Sequence, residues 1–179
     1  MIDSVLREYS AKIDERLNML CALTGQPYDK VIEASRYSLL SGGKRIRPII
    51  LLEFYKLCGG KDESAGDFAC ALEMVHTFSL IHDDLPCMDD DDMRRGKPSC
   101  HKAYGEDMAL LAGDNLLNEA FLVASKTAGI PQDRVLKAIT YFASAIGSLG
   151  MIGGQDIDTT VDIKDKELLF KMFSKIKNF

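Results

Sequence analysis

The amino-acid sequence lacks the patterns that mark several classes of protein. No stretch of its 179 residues alternates apolar and polar side chains as a half-buried strand does, and no segment repeats. The longest aliphatic runs, such as Ile49 to Leu52, are far shorter than a membrane span. The early charges of Asp3, Arg7 and Glu8 are unlike a signal peptide. We therefore expect neither a membrane span nor a leader.

Basic residues are in deficit. The chain has 22 Lys and Arg against 27 Asp and Glu, which gives a formal net charge of −5. A surface that binds nucleic acid by neutralising phosphates carries positive charge, so we expect no nucleic-acid partner. A local basic cluster remains compatible with this composition.

Paired cysteines are also missing. The chain has five cysteines, which are Cys21, Cys58, Cys70, Cys87 and Cys100. The number is odd and no two lie at a Cys-x-x-Cys spacing, which argues against a disulfide framework or a zinc–thiolate site. We expect reduced thiols, mostly in the core, in a cytoplasmic protein.

What the sequence does contain is a series of helix patterns. Apolar residues recur every three or four positions up to about residue 20. Further helices are predicted at about 29–40 with Asp29 as N-cap, and at 48–58, 64–85, 106–128, 131–146 and from near 165 to the end. A glycine-rich connection is expected from Gly147 to Gly154. The 64–85 helix is apolar around most of its circumference, which is typical of a central helix. These patterns predict an all-α helical bundle.

The most informative segment is acidic. Six carboxylates lie between Asp83 and Asp92, directly after the central helix. A solvated loop is the simplest interpretation of such a run. Asp83 and Asp84, however, end an apolar helix, where the helix dipole disfavours negative charge. Because converging carboxylates repel each other unless a cation joins them, we expect an Mg²⁺ site that also takes a substrate phosphate.

Basic residues accompany this acidic segment. Arg94 and Arg95 follow it directly, and guanidinium groups suit the remaining oxygens of a diphosphate, although simple charge balance is an alternative. A second cluster, Gly-Gly-Lys-Arg-Ile-Arg-Pro at 42–48, lies between two helices. His76 lies seven residues before Asp83 and shares its helix face, so it is either a ligand-binding or a core histidine.

The segment from Glu73 to Gly105 resembles the first aspartate-rich region of the trans-isoprenyl diphosphate synthases, the polyprenyl synthetase family. Within that family it is most similar to the bacterial farnesyl diphosphate synthases. The blocks at 42–48, 112–114 and 153–155 match further family motifs in the right order. The resemblance implies an isoprenoid synthase bundle, of which residues 1–179 form the N-terminal part of a single domain.

The resemblance also implies an activity. The family condenses isopentenyl diphosphate with an allylic diphosphate, dimethylallyl or geranyl, with Mg²⁺ as cofactor. Phe78, five positions before Asp83, would form the floor of the cavity for the growing chain, which implies farnesyl diphosphate as the product. A homodimer is expected.

Site residues follow from the same resemblance. The predicted catalytic residues are Asp83, Asp84, Asp89 and Arg94, of which Arg94 would hold the allylic diphosphate. The predicted Mg²⁺ ligands are Asp83, Asp84, Asp89 and Asp158. The predicted substrate-binding residues are Gly43, Lys44, Arg47, His76, Arg94, Arg95 and Gln155, with Gln155 facing the allylic pocket.

The family's second aspartate-rich motif, Asp-Asp-x-x-Asp, does not occur after Asp92. We therefore expect one wall of the cavity to be missing, apolar helix faces to be exposed, and catalysis by this chain alone to be weak or absent. Two alternatives stay open. One is a noncatalytic helical subunit that binds diphosphate or regulates a catalytic partner, and the other is a helical interaction module with an acidic loop.

Overall fold

A computed structural model describes residues 2–61 and 63–160. The predicted all-α character is confirmed for these residues. The helices are α1 Ile2–Leu20, α2 Asp29–Leu39, α3 Ile46–Leu57, α4 Gly66–Asp83, α5 Cys100–Tyr104, α6 Glu106–Ser125, α7 Gln132–Ile146 and α8 Met151–Thr160. Two short strands, β1 Met93–Arg94 and β2 Lys97–Pro98, form an antiparallel hairpin between α4 and α5.

The central helix of the first compact unit, Met1–Ile130, is α4. It packs most extensively against α6 and also contacts α1, α2 and α3. Met74 and Val75 are fully buried, and Phe78 and Ile81 are nearly so. Each such side chain stabilises the fold by about 1.5–3 kcal/mol. The prediction that this apolar helix lies at the centre of the bundle is confirmed, and its last residue, Asp83, places the acidic segment at one end of the core.

Several details differ from the sequence predictions. Asp29 is not the N-cap of α2. It is the first helical residue, and its carboxylate accepts hydrogen bonds from Thr24 and Gly25 in the preceding turn. The hairpin and α5 occupy a segment predicted as loop, and α8 replaces part of the predicted glycine-rich connection. The helix predicted from near Asp165 lies outside the described residues.

The cysteines follow the prediction in part. Cys21, Cys70 and Cys100 are buried, whereas Cys58 and Cys87 are exposed. Burial raises the pKa of Cys21 to about 11 and that of Cys70 to about 12, so both thiols are protonated at neutral pH. These two residues behave as small apolar residues of the core.

A second compact unit begins at Pro131, and its described part contains α7 and α8, which contact each other. Its helical stretch Gln132–Thr160 is long and apolar enough to cross a membrane, with a mean hydropathy of 1.5 and 22% of the apolar window buried. Leu136, Tyr141 and Leu149 are exposed on it. Core helices of soluble proteins pass the same test, so the expected absence of a membrane span stays a prediction, as does the single domain.

Candidate functional site

The acidic segment folds back on the end of α4. Pro86 cannot continue the helix, and the backbone N–H of Met88 donates to the carbonyl of Leu85 at 2.8 Å. The N–H of Asp89 then donates to the carbonyl of Asp83 at 2.9 Å. This closure brings the backbones of two predicted metal ligands together, Asp83, which is half-buried at the helix end, and Asp89, which is exposed. Their oxygen donors suit a hard divalent cation that retains water or phosphate ligands.

Asp84 has a different environment from Asp83 and Asp89. It is only 2% exposed, and the Nε of Arg94 lies 2.9 Å and 3.1 Å from its two carboxylate oxygens. Arg94 also donates to Asp91 at 3.2 Å. Hydrogen bonding to Asp84, the largest influence, raises the pKa of Arg94. To bind Mg²⁺, Asp84 would have to give up part of this pairing, so its predicted metal role stays a prediction.

The β1–β2 hairpin sends its two arginines to different partners. Arg94 pairs with Lys97 in the antiparallel register, and Arg95 and Gly96 form the turn with left-handed φ values of 54° and 77°. Both positive φ values are typical of a type I′ turn. Arg94 therefore faces Asp84, whereas the Arg95 side chain reaches the turn before α3.

Arg95 lies against that turn. Its guanidinium donates to the carbonyl of Gly42. A Cβ on Gly43, which has a φ of 138°, would lie 3.0 Å from the guanidinium carbon of Arg95. Glycine therefore permits the close approach. Partial desolvation and the nearby guanidinium of Arg45 lower the pKa of Arg95, yet arginine remains charged at neutral pH.

His76 joins the same basic region from α4. The exposed Arg47 lies with its Nη1 3.4 Å from the Nε2 of half-buried His76. Burial, and next the charge of Arg47, lower the pKa of His76 to about 4. The ring is neutral at pH 7 and accepts from Arg47. We call Gly43, Lys44, Arg47, His76 and Arg95 the basic cluster.

Arg45 is the residue of this turn whose role the sequence did not reveal. Its side chain is fully buried and lies 2.7 Å from each of Asp14 Oδ1, Glu73 Oε1 and the carbonyl of Leu39. Lys44 and Arg47 flank it and are exposed. Among the described residues, neither these two nor Arg95 forms a salt bridge. The buried arginine thus anchors the turn and leaves its neighbours available to an anion.

Phe78 is a buried residue of α4, five positions before Asp83. It is 6% exposed, and its ring meets that of His82 edge to face with centroids 5.4 Å apart. His82 in turn lies so close to α6 that a Cβ on Gly113 would come within 2.2 Å of its Nε2. Gly113 therefore allows α4 and α6 to approach closely. The sequence singled out this glycine only as part of a family motif.

Gln155 and Asp158 lie in the second unit. They are three residues apart on α8, so they share one helix face, and Asp158 is exposed. Their predicted substrate and metal roles stay predictions.

Comparison with known proteins gives consistent matches. A family model described as polyprenyl synthetase matches residues 29–178. A chloroplastic geranylgeranyl pyrophosphate synthase of Capsicum annuum is 56% identical over 127 residues, which are 70% of this chain and 34% of that protein. The large subunit 1 of a heterodimeric chloroplastic geranylgeranyl pyrophosphate synthase of Arabidopsis thaliana is 51% identical over 142 residues, which are 76% of this chain and 38% of that protein.

A solved structure has the same fold. An apo FPP/GFPP synthase from Zymomonas mobilis aligns with a TM-score of 0.90 and 35% identity, over 95% of this chain and 63% of that chain. The chain thus spans about a third of the length of the two curated relatives, 34% and 38%, and less than two thirds of the solved chain.

Proposed function

Because this chain belongs to the polyprenyl synthetase family, we propose that it forms part of a prenyltransferase that joins isopentenyl diphosphate to dimethylallyl or geranyl diphosphate. The shared fold confirms the predicted bundle of the isoprenoid synthase type. The finer activity, the metal, the homodimer and the cytoplasmic location are proposals, since the chain spans only part of its relatives.

The observation that carries this proposal is the closure of the acidic segment. The hydrogen bond from the Asp89 N–H to the Asp83 carbonyl, 2.9 Å long, joins the backbones of two aspartates at the end of a buried helix, so their side chains start from neighbouring positions. We assign the Mg²⁺ site to Asp83 and Asp89, with Asp84 beside them. Bound there, Mg²⁺ would stabilise the negative charge of the departing allylic diphosphate.

The second diphosphate is assigned to the basic cluster. Lys44, Arg47 and Arg95 have no carboxylate partner among the described residues, so their charges support direct binding of an anion. His76 is seven residues from Asp83, about 10 Å along the axis of α4. This separation lets one helix position both substrates. Neutral His76 accepts a hydrogen bond from Arg47 and so orients its guanidinium.

The reaction then proceeds by electrophilic elongation. The bond between C1 of the allylic substrate and its diphosphate breaks, and the isopentenyl double bond attacks C1. Loss of a proton from the former isopentenyl unit restores a double bond. Arg94 can hold the leaving diphosphate once its guanidinium separates from Asp84. Apolar side chains of α4 exclude water from the allylic cation.

Thermal stability with and without ligand tests this function. With Mg²⁺ and geranyl diphosphate in large excess over Kd, the melting temperature should rise by several degrees, because a ligand that binds only the folded state stabilises it. Asp83→Asn with Asp89→Asn should abolish the Mg²⁺-dependent part of the rise. Asp107→Asn, a control on the exposed first turn of α6, should keep it.

The same preparation is then assayed for turnover with isopentenyl diphosphate. Binding with turnover supports the prenyltransferase, whereas binding without turnover supports the noncatalytic diphosphate-binding subunit. If Mg²⁺ and diphosphate together cause no stabilisation, the chain is a helical interaction module and the proposal is wrong.

We also propose a fifteen-carbon product, with Phe78 as the residue that limits chain growth. The relatives include a geranylgeranyl pyrophosphate synthase and an FPP/GFPP synthase, so they leave the product length open. The support comes from the buried ring of Phe78, which is five residues, about 7.5 Å along the helix, before Asp83.

Product analysis tests this role of Phe78. In a form of the protein that turns over, Phe78→Ala should shift the main product by at least one five-carbon unit, because the smaller side chain deepens the cavity. Phe68→Ala is the matched control, since it makes the same truncation in α4 fifteen residues before Asp83 and should keep the product length. An unchanged product of Phe78→Ala would refute the assignment.

A further inference from the structure

The second half of the acidic segment forms a cluster that the proposed reaction does not use. One carboxylate oxygen each from Asp90 and Asp92 and one ring nitrogen of His101 lie within 4.8 Å of one another. Asp90 and Asp92 precede the hairpin, and His101 is on α5 directly after it. His101 is nine residues from Asp92 in the sequence, and only the hairpin brings it back to the acidic residues.

The ring of His101 is buried, and only one of its two nitrogens has a hydrogen-bond partner among the described residues. The residue is 6% exposed, and its Nδ1 lies 3.0 Å from the hydroxyl oxygen of Ser99. Its Nε2 is buried and has no hydrogen-bond partner in the described part of the chain. The nearest carboxylate oxygen, Oδ1 of Asp90, is 3.9 Å away, which is too far for a hydrogen bond. Leaving such a buried nitrogen without a partner destabilises the fold.

Backbone hydrogen bonds hold the cluster in place. The N–H of Ser99 donates to the carbonyl of Asp92 at 2.9 Å, which fixes both ends of the hairpin. Asp90 has a left-handed φ of 52°, and its N–H donates to the carbonyl of Leu85 at 3.2 Å. The strained backbone of Asp90 is therefore stabilised by the same loop closure that presents its carboxylate toward His101.

The donor set suits a transition-metal ion. One imidazole nitrogen and two carboxylate oxygens are common ligands of zinc, whereas Mg²⁺ and Ca²⁺ prefer oxygen alone. A tetrahedral site with bonds of about 2.1 Å places its ligand atoms about 3.4 Å apart. The side chains of Asp90 and Asp92 are 60% and 73% exposed, so they can rotate to close the remaining gap.

Ser99 and Lys102 lie beside the three candidate ligands and affect how they can bind a metal ion. If Nδ1 of His101 donates its proton to Ser99, Nε2 presents a lone pair to the carboxylates, and such an outer hydrogen bond is typical of metal-binding histidines. Lys102 lies 2.8 Å from Asp92, but both side chains are exposed. Surface pairs of this kind contribute little to stability, so a metal ion can displace Lys102 readily.

We propose that Asp90, Asp92 and His101 bind a divalent transition-metal ion, with Zn²⁺ as the best fit, at a site separate from Asp83 and Asp89. A fourth position would remain for water. The ion would tie the acidic segment to α5 and so order the loop that carries Asp89.

Histidine NMR tests this site with the metal alone. The chain has three histidines, His76, His82 and His101, so ¹⁵N-histidine labelling gives few signals. In the absence of Mg²⁺ and diphosphate, one equivalent of Zn²⁺ should shift the Nε2 signal of His101 and leave those of His76 and His82 unchanged. A His101 signal that does not respond to Zn²⁺ would overturn the proposal.

Calorimetric titration of the variants gives an independent measure. Asp90→Asn, Asp92→Asn and His101→Gln should each lower Zn²⁺ affinity at least tenfold. The two aspartate variants alter exposed side chains, so they keep the test valid if His101→Gln does not fold. Asp91→Asn removes the same charge from the same loop, but its carboxylate contacts Arg94, so Zn²⁺ affinity should stay within twofold.

The outcome is independent of the prenyltransferase assignment, since no substrate is present. If Asp91→Asn weakens Zn²⁺ as much as Asp90→Asn does, the ion only follows the net charge of the loop and the proposal fails. It also fails if Asp83→Asn, rather than Asp90→Asn, removes the His101 shift.

Discussion

The two charged regions along α4 differ in how the protein itself neutralises them. In the acidic segment, Asp84 and Asp91 share Arg94. In the basic cluster, Lys44, Arg47 and Arg95 have no salt bridge among the described residues, although the buried Arg45 between them has two. Within three consecutive residues, Arg45 thus has a structural role and Arg47 provides an available charge.

If the two regions bind diphosphates as proposed, they must do so in different ways. Uncompensated guanidinium and ammonium groups can bind an anion directly. Carboxylates cannot, so the acidic segment requires a cation between itself and the same kind of ligand. Binding at the acidic end should therefore depend on Mg²⁺, whereas binding at the basic cluster should not.

Replacing Arg45 should have the largest effect. Arg45→Met leaves the carboxylate of Glu73, which is 2% exposed, buried without its cation, and should lower the free energy of unfolding by about 3–5 kcal/mol. Arg47→Met, its exposed counterpart two residues later, should change it by less than about 0.5 kcal/mol. Urea denaturation measures both.

A double variant shows whether the loss of stability in Arg45→Met comes from the broken ion pair or from disturbed packing. Arg45→Met with Glu73→Leu removes both buried charges and should recover most of the lost stability, since apolar replacements of a buried pair are often neutral. If Arg45→Met alone costs less than 1 kcal/mol, the contrast between structural and available arginines does not hold.

Replacing Asp89 should have the next largest effect, on binding. Asp89→Asn removes a charged ligand from the proposed Mg²⁺ site and should weaken Mg²⁺-dependent binding of geranyl diphosphate by about a hundredfold, equal to about 2.7 kcal/mol. Binding of isopentenyl diphosphate without Mg²⁺ should stay within threefold. Equal losses for both ligands would mean that the two regions are not separate sites.

Arg47→Met should give the reverse pattern with a smaller magnitude. A hydrogen bond to a charged group contributes about 1.5–3 kcal/mol, so loss of this side chain should weaken isopentenyl diphosphate about tenfold or more. Mg²⁺-dependent binding of geranyl diphosphate should be nearly unchanged. Calorimetry with each ligand separately gives both values, and a larger loss for geranyl diphosphate would contradict the assignment.

The six helices α1, α2, α3, α4, α6 and α7 could be predicted from the sequence because their apolar positions extend over several turns. The central place of α4 followed from apolar residues on nearly all of its faces. The hairpin could not be predicted in this way, because strands of two residues are too short to alternate and Arg95 occupies a turn position usually taken by Asn or Gly. α8 was missed because its glycines have low helix propensity.

The roles of the charged residues could likewise be predicted only in part. Their spacing along the chain predicted a cation site and an anion site, and loop closure brings Asp83 and Asp89 together. The burial of Arg45 depends on Asp14 and Glu73, which are 31 and 28 residues away on α1 and α4. No local pattern distinguishes it from Lys44 or Arg47. The pairing of Asp84 with Arg94 likewise depends on the hairpin.

His76 should make the stability of the folded chain depend on pH. Its pKa is about 4 in the folded chain against an ordinary value of 6.5, so between these values the unfolded chain binds more protons. The contribution is therefore fully present above pH 6.5 and is lost as the pH falls toward 4. The free energy of unfolding should decrease by about 2 kcal/mol over this window, given the partly exposed ring.

Replacing His76 isolates this contribution. His76→Asn should flatten the curve of unfolding free energy against pH between pH 6.5 and 4. An unchanged slope for His76→Asn would show that the burial and positive surroundings of His76 do not contribute to the pH dependence of the unfolding free energy. A titration with isopentenyl diphosphate makes the test more specific. An anion bound among Arg47, Arg95 and His76 would stabilise the imidazolium form of His76. NMR should therefore show the pKa of His76 rising from about 4 when the ligand binds.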